Sequence, residues 1–398
     1  MAMGRRRSMS VKTGMILAMA GLMLAGYRMP AGASGDERGF ELGNARIFGY
    51  GDLHYNSPRG TDFPDRRQAD LADAHRFVIG VSYNWTERLS LHAEVDFEHA
   101  ANAADLEFEL GHIDYRHSDA LGFRAGVVLM PVGSLNEVHE PTTYYSVERP
   151  QIDNFIIPST WQELGAGFFG TISAPFPIRY RTYAVSNLSA AGFSADQGIR
   201  GGRGKLKSQN TSGAAWVGRV EIEPLLGLTL GTSAYYGTAS VFGTANGVTN
   251  VARLSSVGVN LWTGEVKYIK GPYELQGRYA VLNIGDAVAV SANNTGNDPV
   301  AERSTGWLGE AAVHTGQWLF ADDSDLDLVL FGRYQEIDTQ ERVSAGTTKN
   351  LAFDRNITTW GLAFFPHRDV ALKADVEHWE LSTGQSDERY NLGLAFIY

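Results

Sequence analysis

The segment at residues 134–160 concentrates charged side chains of one sign. Its charged residues are Glu137, Glu140, Glu148, Arg149 and Asp153. Fixed charges around a narrow passage select ions by sign, and carboxylates attract cations. We therefore regard these residues as candidates for a pore constriction that favours cations.

A second set of charged residues alternates with other residues along strand-like segments. Its members are Glu94, Asp96, Glu98, Arg179, Arg181, Arg219, Arg278 and Arg333. Alternation places such residues on one face of a strand, which in a membrane barrel is the face toward the lumen. We expect many of them to pair across neighbouring strands, which leaves selectivity to groups that stay unpaired at the narrowest point.

Motifs for catalysis and for cofactor or metal binding are weak in this sequence. Gly165, Gly167 and Gly170 match GxGxxG in letters, but Pro175 and Pro177 follow where a dinucleotide site needs a helix. The histidines lack metal-ligand spacing, and no GxSxG motif is present. We predict no catalytic residue, no cofactor and no metal site.

Residues 1–33 have the pattern of a cleaved signal peptide. Arginines at residues 5–7 precede a short apolar stretch, and Ala31-Gly32-Ala33 supplies a cleavage site. The apolar stretch is too short to span a bilayer as a helix. We expect residues 34–398 to be exported. The absence of cysteine excludes disulfides, and the net charge of −11 argues against nucleic acid as a partner.

Hydrophobic alternation with a period of two runs through most of the chain. It is clearest where Phe77, Ile79 and Val81 share one face of a segment that a short link at 86–88 joins to the next segment. Such a hairpin with one apolar face is typical of a membrane β-barrel. The fold class predicted is all-β, a transmembrane antiparallel β-barrel.

We predict sixteen strands and links that alternate between short and long. The strands lie at 46–55, 76–85, 89–98, 106–116, 122–130, 163–172, 178–187, 213–222, 228–237, 259–270, 273–282, 305–314, 325–335, 355–365, 369–379 and 389–398. The long links, such as 131–162, 188–212 and 238–258, are expected to be external. A phase change near Leu110 indicates a bulge, and 355–365 fits either phase.

The final strand alternates aromatic and aliphatic residues with small or polar ones. Its outward set is Tyr390, Leu392, Leu394, Phe396 and Tyr398. This pattern resembles the signal read by the barrel-assembly machinery. We therefore expect that machinery, outer-membrane lipid and lipopolysaccharide as partners.

A basic run lies in a Gly-rich segment, at Arg200, Arg203, Lys205 and Lys207. We interpret it as a solvated loop, the alternative being a patch that gathers anionic solutes or touches lipopolysaccharide phosphates.

Several short motifs occur together between residues 126 and 165. They are Gly126-Val-Val-Leu-Met-Pro-Val-Gly133, Glu140-Pro141, Glu148-Arg149-Pro150, Ile157-Pro158 and Trp161-Gln-Glu-Leu-Gly165. Over residues 110–172 the chain resembles the phosphate-selective porin O and P family. The resemblance implies a sixteen-stranded homotrimeric porin whose loop, here 134–160, folds inward and narrows the pore. No position-by-position match to the family's anion-binding arginines and lysines is found.

These observations together favour an outer-membrane porin that lets small hydrophilic solutes or ions diffuse passively, and not an enzyme. Two alternatives remain open. A channel selective for phosphate or another anion would have an arginine-lined constriction. A structural or adhesive barrel would have a plugged lumen and no conductance.

Overall fold

The computed structural model describes residues 39–58, 71–98, 106–204, 206, 210–245, 248–292, 298–320 and 325–398. The predicted signal peptide, residues 1–33, lies outside the described residues. No helix among the described residues is long and apolar enough to cross a membrane.

Strands account for most of the described residues. They are β1 Phe40–Leu42, β2 Ala45–Pro58, β3 Leu71–Asn84, β4 Leu89–Glu98, β5 Leu106–Ser118, β6 Leu121–Leu129, β7 Gln162–Ser173, β8 Pro177–Ser189, β9 Asn210–Leu225, β10 Leu228–Ala245, β11 Val248–Lys270, β12 Tyr273–Ile284, β13 Arg303–His314, β14 Asp327–Arg342, β15 Asp354–His367, β16 Val370–Leu381 and β17 Ser386–Ile397. Among the described residues three short α-helices lie between strands: α1 Ile152–Phe155, α2 Ala287–Ala292 and α3 Gly316–Leu319.

Each strand from β2 to β17 pairs antiparallel with the next one in the chain, and β17 returns to pair with β2. In this closing pair Leu394 lies opposite Leu53. Closure matters because it satisfies every strand edge, which a barrel in lipid requires. The prediction of a sixteen-stranded antiparallel barrel is therefore confirmed for the described residues, and β1 is an additional short strand paired with β2.

The outer face of the barrel is apolar and uncovered. On β3, Phe77 and Ile79 are 42% and 38% exposed. Arg76 and Val78, which alternate with them along the strand, point inward and are buried. The same division holds on β15, where Trp360 is exposed and Ile357 and Thr359 are buried, which settles the phase of that strand. A continuous apolar exterior of this kind fits contact with lipid rather than water.

Two irregularities in the ladder turn side chains toward the lumen. Glu94 pairs with Leu110 and Val95 with Phe108, so Glu109 is an extra residue in β5, which confirms the predicted bulge. Asp52 pairs with Arg76 and Leu53 with Ala74, which leaves His75 as a second extra residue in β3. This second bulge was not predicted.

The prediction of a long link at 238–258 is wrong. β10 continues to Ala245 and β11 begins at Val248, so the two strands extend as a hairpin beyond the predicted ends. The membrane-spanning pattern was recognised, but the pairing continues past it because a hairpin ladder needs no lipid-facing alternation.

The hydrophobic core lies inside the barrel. Inward residues of β8 to β16, including Leu261, Leu282 and Trp379, are buried against Ile156 and Trp161 of the long β6–β7 link. Alternation alone did not predict an apolar inner wall. The link and the wall bury each other's apolar surface, which favours an inward position of the link.

Candidate pore constriction

Residues 130–161, which we call the inner loop, connect β6 to β7 and fold into the barrel. The base of the loop is closed by a hydrogen bond of 2.9 Å from the Met130 amide to the Trp161 carbonyl. The side-chain amide of Asn136 donates to the Met130 carbonyl at 2.8 Å and to the Trp161 carbonyl at 2.9 Å. Its side-chain oxygen accepts from the backbone amide of Trp161 at 2.8 Å. Asn136 is fully buried, so it sets the shape of the loop base.

The first part of the inner loop rests on β8, β10 and β11. The Gly133 amide donates to Ser233 Oγ at 3.0 Å, and the Ser134 amide donates to Glu265 Oε1 at 2.7 Å. Glu137 lies 2.8 Å from the guanidinium of Arg181. Burial raises the pKa of the Glu137 carboxyl, and the positive charge of Arg181 opposes this rise.

The middle part of the inner loop contacts the opposite wall, on β3 and β16. Lys373 is buried and its ammonium donates to the carbonyls of Pro141, Tyr144 and Ser146. The Val147 amide donates to Asp375 at 2.6 Å, and Arg76 donates to the His139 carbonyl at 2.7 Å. Wall side chains therefore satisfy backbone groups of a loop that has no ladder of its own.

The last part of the inner loop includes helix α1. Asp153 forms an ion pair with Arg278, and its side chain is fully buried. Ile152 and Ile156 lie over Gly306, where an added Cβ would come within 3.2 Å of both side chains. Because glycine leaves this space on β13, the helix can approach the wall closely.

A second segment, residues 190–203, covers the inner loop. Arg200 donates to the Ser159 carbonyl at 2.6 Å, and Arg203 donates to the Pro158 carbonyl at 2.7 Å and to the Thr160 carbonyl. The interpretation of Arg200 and Arg203 as a solvated basic loop is therefore wrong. Unpaired loop carbonyls bind these guanidinium groups, and Lys205 and Lys207 lie outside the described residues.

The structure distributes the predicted constriction residues over several contacts. Glu137 and Asp153 pair with Arg181 and Arg278, as described above. Glu148 lies 3.2 Å from His54 Nδ1 and accepts from Asn56 at 3.1 Å. Arg149 donates to Thr160 at 3.0 Å. The excess of loop carboxylates seen in the sequence is thus largely compensated by bases on the wall.

The basic residues predicted on the wall form ion pairs with wall carboxylates. Arg219 lies 2.7 Å from Glu265 and 3.0 Å from Glu221, and Arg333 lies 2.6 Å from Glu310. At the end of β8, Arg179 lies 2.5 Å from Glu223 and its side chain is 39% exposed. Such pairs hold the wall together and leave little net charge at these positions.

An acidic group that we define as Glu94, Asp96 and Glu140 brings the β4 wall close to the inner loop. Glu94 interacts electrostatically with both other members and with Glu109. Among the described residues no hydrogen bond reaches Oδ1 of Asp96 or Oε2 of Glu140. Glu98, the remaining acid predicted on β4, is half-buried next along the same face. The acidic group thus brings three carboxylates close together, with Arg76 as a neighbouring positive charge.

Comparisons with known proteins bear on the fold. No family model matches the chain. An uncharacterized protein of Aquifex aeolicus is 28% identical over 365 residues, which cover 88% of this chain and 79% of that protein. The outer membrane channel DcaP of Acinetobacter baumannii superimposes with a TM-score of 0.57 at 11% identity, over 91% of this chain and all of that one. An anion-selective porin from Comamonas acidovorans gives 0.51 at 11% identity, over 89% and 99% of the two chains.

These similarities are low in sequence and extend over nearly the whole barrel. The structure itself combines a closed sheet, an apolar exterior and a loop held within the lumen. This chain has the fold of a multi-pass outer-membrane β-barrel of the porin type.

Proposed function

We propose that the protein is an outer-membrane porin through which small hydrophilic solutes diffuse passively. The observation that carries this proposal is the partial exposure of charged side chains that point inward. Arg124 and Arg181 lie on the inner face of β6 and β8, and each side chain is 22% exposed. Since lipid covers the outer face, water reaches these residues only through the lumen.

The acidic group supports a preference for cations. Its carboxylates lie on β4 and on the inner loop, and Arg76 interacts with Glu94 and Asp96 without forming the close ion pairs seen for Glu137 and Asp153 among the described residues. Cations passing this point would gain favourable interactions that anions would not. Passive diffusion needs no bond to be made or broken, so the proposal assigns no catalytic residue.

The resemblance to the phosphate-selective porin O and P family supports a homotrimer and assembly by the barrel machinery in a lipopolysaccharide-containing membrane. Phosphate selectivity has less support. The only arginine of the inner loop, Arg149, donates to Thr160 within the loop. Arg124 and Arg181 reach the lumen from the wall, but they are paired with Asp114 and Glu137, whereas anion recognition needs guanidinium groups that carboxylates do not already occupy.

The decisive experiment is single-channel recording in a planar bilayer under a salt gradient. We expect an ohmic current whose reversal potential shows mild cation preference. Replacing Glu94 and Glu140 by glutamine should shift the reversal potential toward zero or toward anions. Glu87→Gln, in the exposed link between β3 and β4, is the matched control and should leave it unchanged. Anion preference blocked by phosphate would overturn the cation assignment.

A second candidate is a plugged structural barrel, favoured by the extent of packing within the lumen. The inner loop contacts β2, β3, β5, β8 and β10 to β16, and its apolar residues are buried against the wall. A folded barrel without conductance in the same recordings would support this candidate and exclude the porin.

A further inference from the structure

Three potential metal ligands meet on the inner wall near the end of β2 that carries the long link. Asp52 and His54 are two residues apart on β2 and therefore point to the same side. His75 joins them because it is the extra residue of the β3 bulge, which turns its side chain inward. The ligand atoms of these three residues all lie within 4.8 Å of one another.

The spacing suits a small divalent cation. His54 Nε2 lies 2.8 Å and His75 Nδ1 lies 3.3 Å from Asp52 Oδ2. Tetrahedral zinc with ligand bonds of about 2.0–2.1 Å places its ligand atoms about 3.3 Å apart. The two imidazole rings are stacked with centroids 4.5 Å apart, and both lie beside the same carboxylate.

The other nitrogen of His54 is held in the way that metal-binding histidines usually are. His54 Nδ1 lies 3.2 Å from Glu148 Oε1, and Asn56 donates to that same oxygen at 3.1 Å. A carboxylate that accepts a hydrogen bond from Nδ1–H directs the Nε2 lone pair to a metal and fixes the ring. Glu148 belongs to the inner loop, so an ion at this position would also connect the loop to the wall.

Two neighbouring cations weaken the site without blocking it. Arg76 Nε lies 3.4 Å from Asp52 Oδ1, an oxygen that is also 3.3 Å from His75 Nδ1, whereas His54 Nε2 approaches the other oxygen, Oδ2. Lys373 also interacts electrostatically with Asp52, so the carboxylates of Asp52 and Glu148 balance these two positive charges before an ion binds. The His75 side chain is 28% exposed, which gives the ion a path from the lumen.

We propose that Asp52, His54 and His75 form a site for a divalent transition-metal ion of the zinc class, with Glu148 as the positioning residue for His54. Two imidazoles and one carboxylate are a ligand set typical of zinc, and they leave a fourth position for water from the lumen. The ion would be bound reversibly at the wall of the passage. The sequence did not indicate this site because its third ligand depends on a bulge.

Calorimetric titration of the folded protein in detergent with Zn²⁺ tests the proposal directly. We expect one ion per chain and a loss of affinity of at least tenfold in His75→Ala, whose bulged side chain is partly exposed and can be removed with little effect on folding. Glu148→Gln should weaken binding about 10-fold to 100-fold because it replaces the charged partner of Nδ1 by a neutral amide. The control is His378→Ala, which removes a histidine paired with Glu380 at the surface.

Folding of each variant is checked by its heat-modifiable migration on a gel, independently of any channel activity. Co²⁺ titration adds a second readout, since strong visible absorption by the bound ion indicates tetrahedral coordination. Zn²⁺ binding that His75→Ala leaves unchanged, or binding no tighter in the wild type than in His54→Ala, would overturn the proposal. If His378→Ala lost as much Zn²⁺ affinity as His75→Ala, the proposal would likewise be overturned.

Discussion

Replacing Arg278 by methionine removes the cation that holds Asp153 inside the barrel. The Asp153 side chain is fully buried and that of Arg278 is 6% exposed, so neither charge is compensated by bulk water. Arg278 also donates to Ser134 and lies 3.2 Å from Glu265. The variant therefore leaves the buried Asp153 carboxylate without its ion-pair partner, whereas Glu265 keeps Arg219 at 2.7 Å.

Breaking a buried ion pair by removing one partner costs about 3–5 kcal/mol. The strand ladder does not depend on Arg278, so the loop around helix α1 can relieve this cost by leaving the wall and exposing Asp153 to water. At about 1.4 kcal/mol for each factor of ten, the undocked population should rise by roughly two to three and a half powers of ten.

Single-channel recording and limited proteolysis measure this effect. We expect Arg278→Met to show more frequent high-conductance openings and faster cleavage within residues 130–161 than the wild type. Replacing both partners, in Asp153→Asn with Arg278→Met, should restore much of the protection because no buried charge is left alone. Arg342→Met is the control, since its pair with Glu302 is exposed at 56% and 35% and contributes about 0–1 kcal/mol. A variant Arg278→Met with unchanged conductance and cleavage would refute the argument.

Three further predictions concern the inner loop and its cover. Arg203→Met removes the donor to the Pro158 and Thr160 carbonyls, and we expect faster proteolysis near residue 158 with the barrel still heat-modifiable. Gly306→Leu overfills the space under helix α1 at a cost of about 1–3 kcal/mol, so open-state conductance should become heterogeneous, and unaltered recordings would count against the packing. Because burial raises the pKa of Glu137, its carboxyl is protonated at a higher pH than that of an ordinary glutamate. Cation preference should therefore fall on acidification. Glu137→Gln should abolish that part of the pH dependence of the reversal potential.

The barrel could be predicted from the sequence because its signals are local. Alternation of residues such as Phe77, Ile79 and Val81 follows from the strand pleat, and lipid on one side makes the pattern strict. The bulge near Leu110 was visible for the same reason, as a change of phase. Where lipid contact ends, as at residues 238–258, the signal ends too and the strand ends were misjudged.

The contacts of the candidate site could not be predicted because they join residues that are distant in the chain. Asp153 and Arg278 are separated by 125 positions, and Lys373 binds carbonyls more than 220 positions away. Counting charges in the loop suggested an acidic constriction, but the wall bases that compensate Glu137 and Asp153 become visible only when the barrel closes. His75 was missed because the predicted strand began at residue 76, whereas β3 begins at Leu71 and carries His75 as the extra residue of a bulge.

The anchoring of the inner loop sets an order of events during biogenesis. The loop follows β6, yet Lys373 and Asp375, which hold its middle part, belong to β16, the penultimate strand. Residues 130–161 are thus made long before their partners are, and they can settle only after the last hairpins have joined β2. A newly closed barrel would therefore pass through a wide-lumen intermediate, and the final step of maturation would be the docking of a loop and not the pairing of a strand.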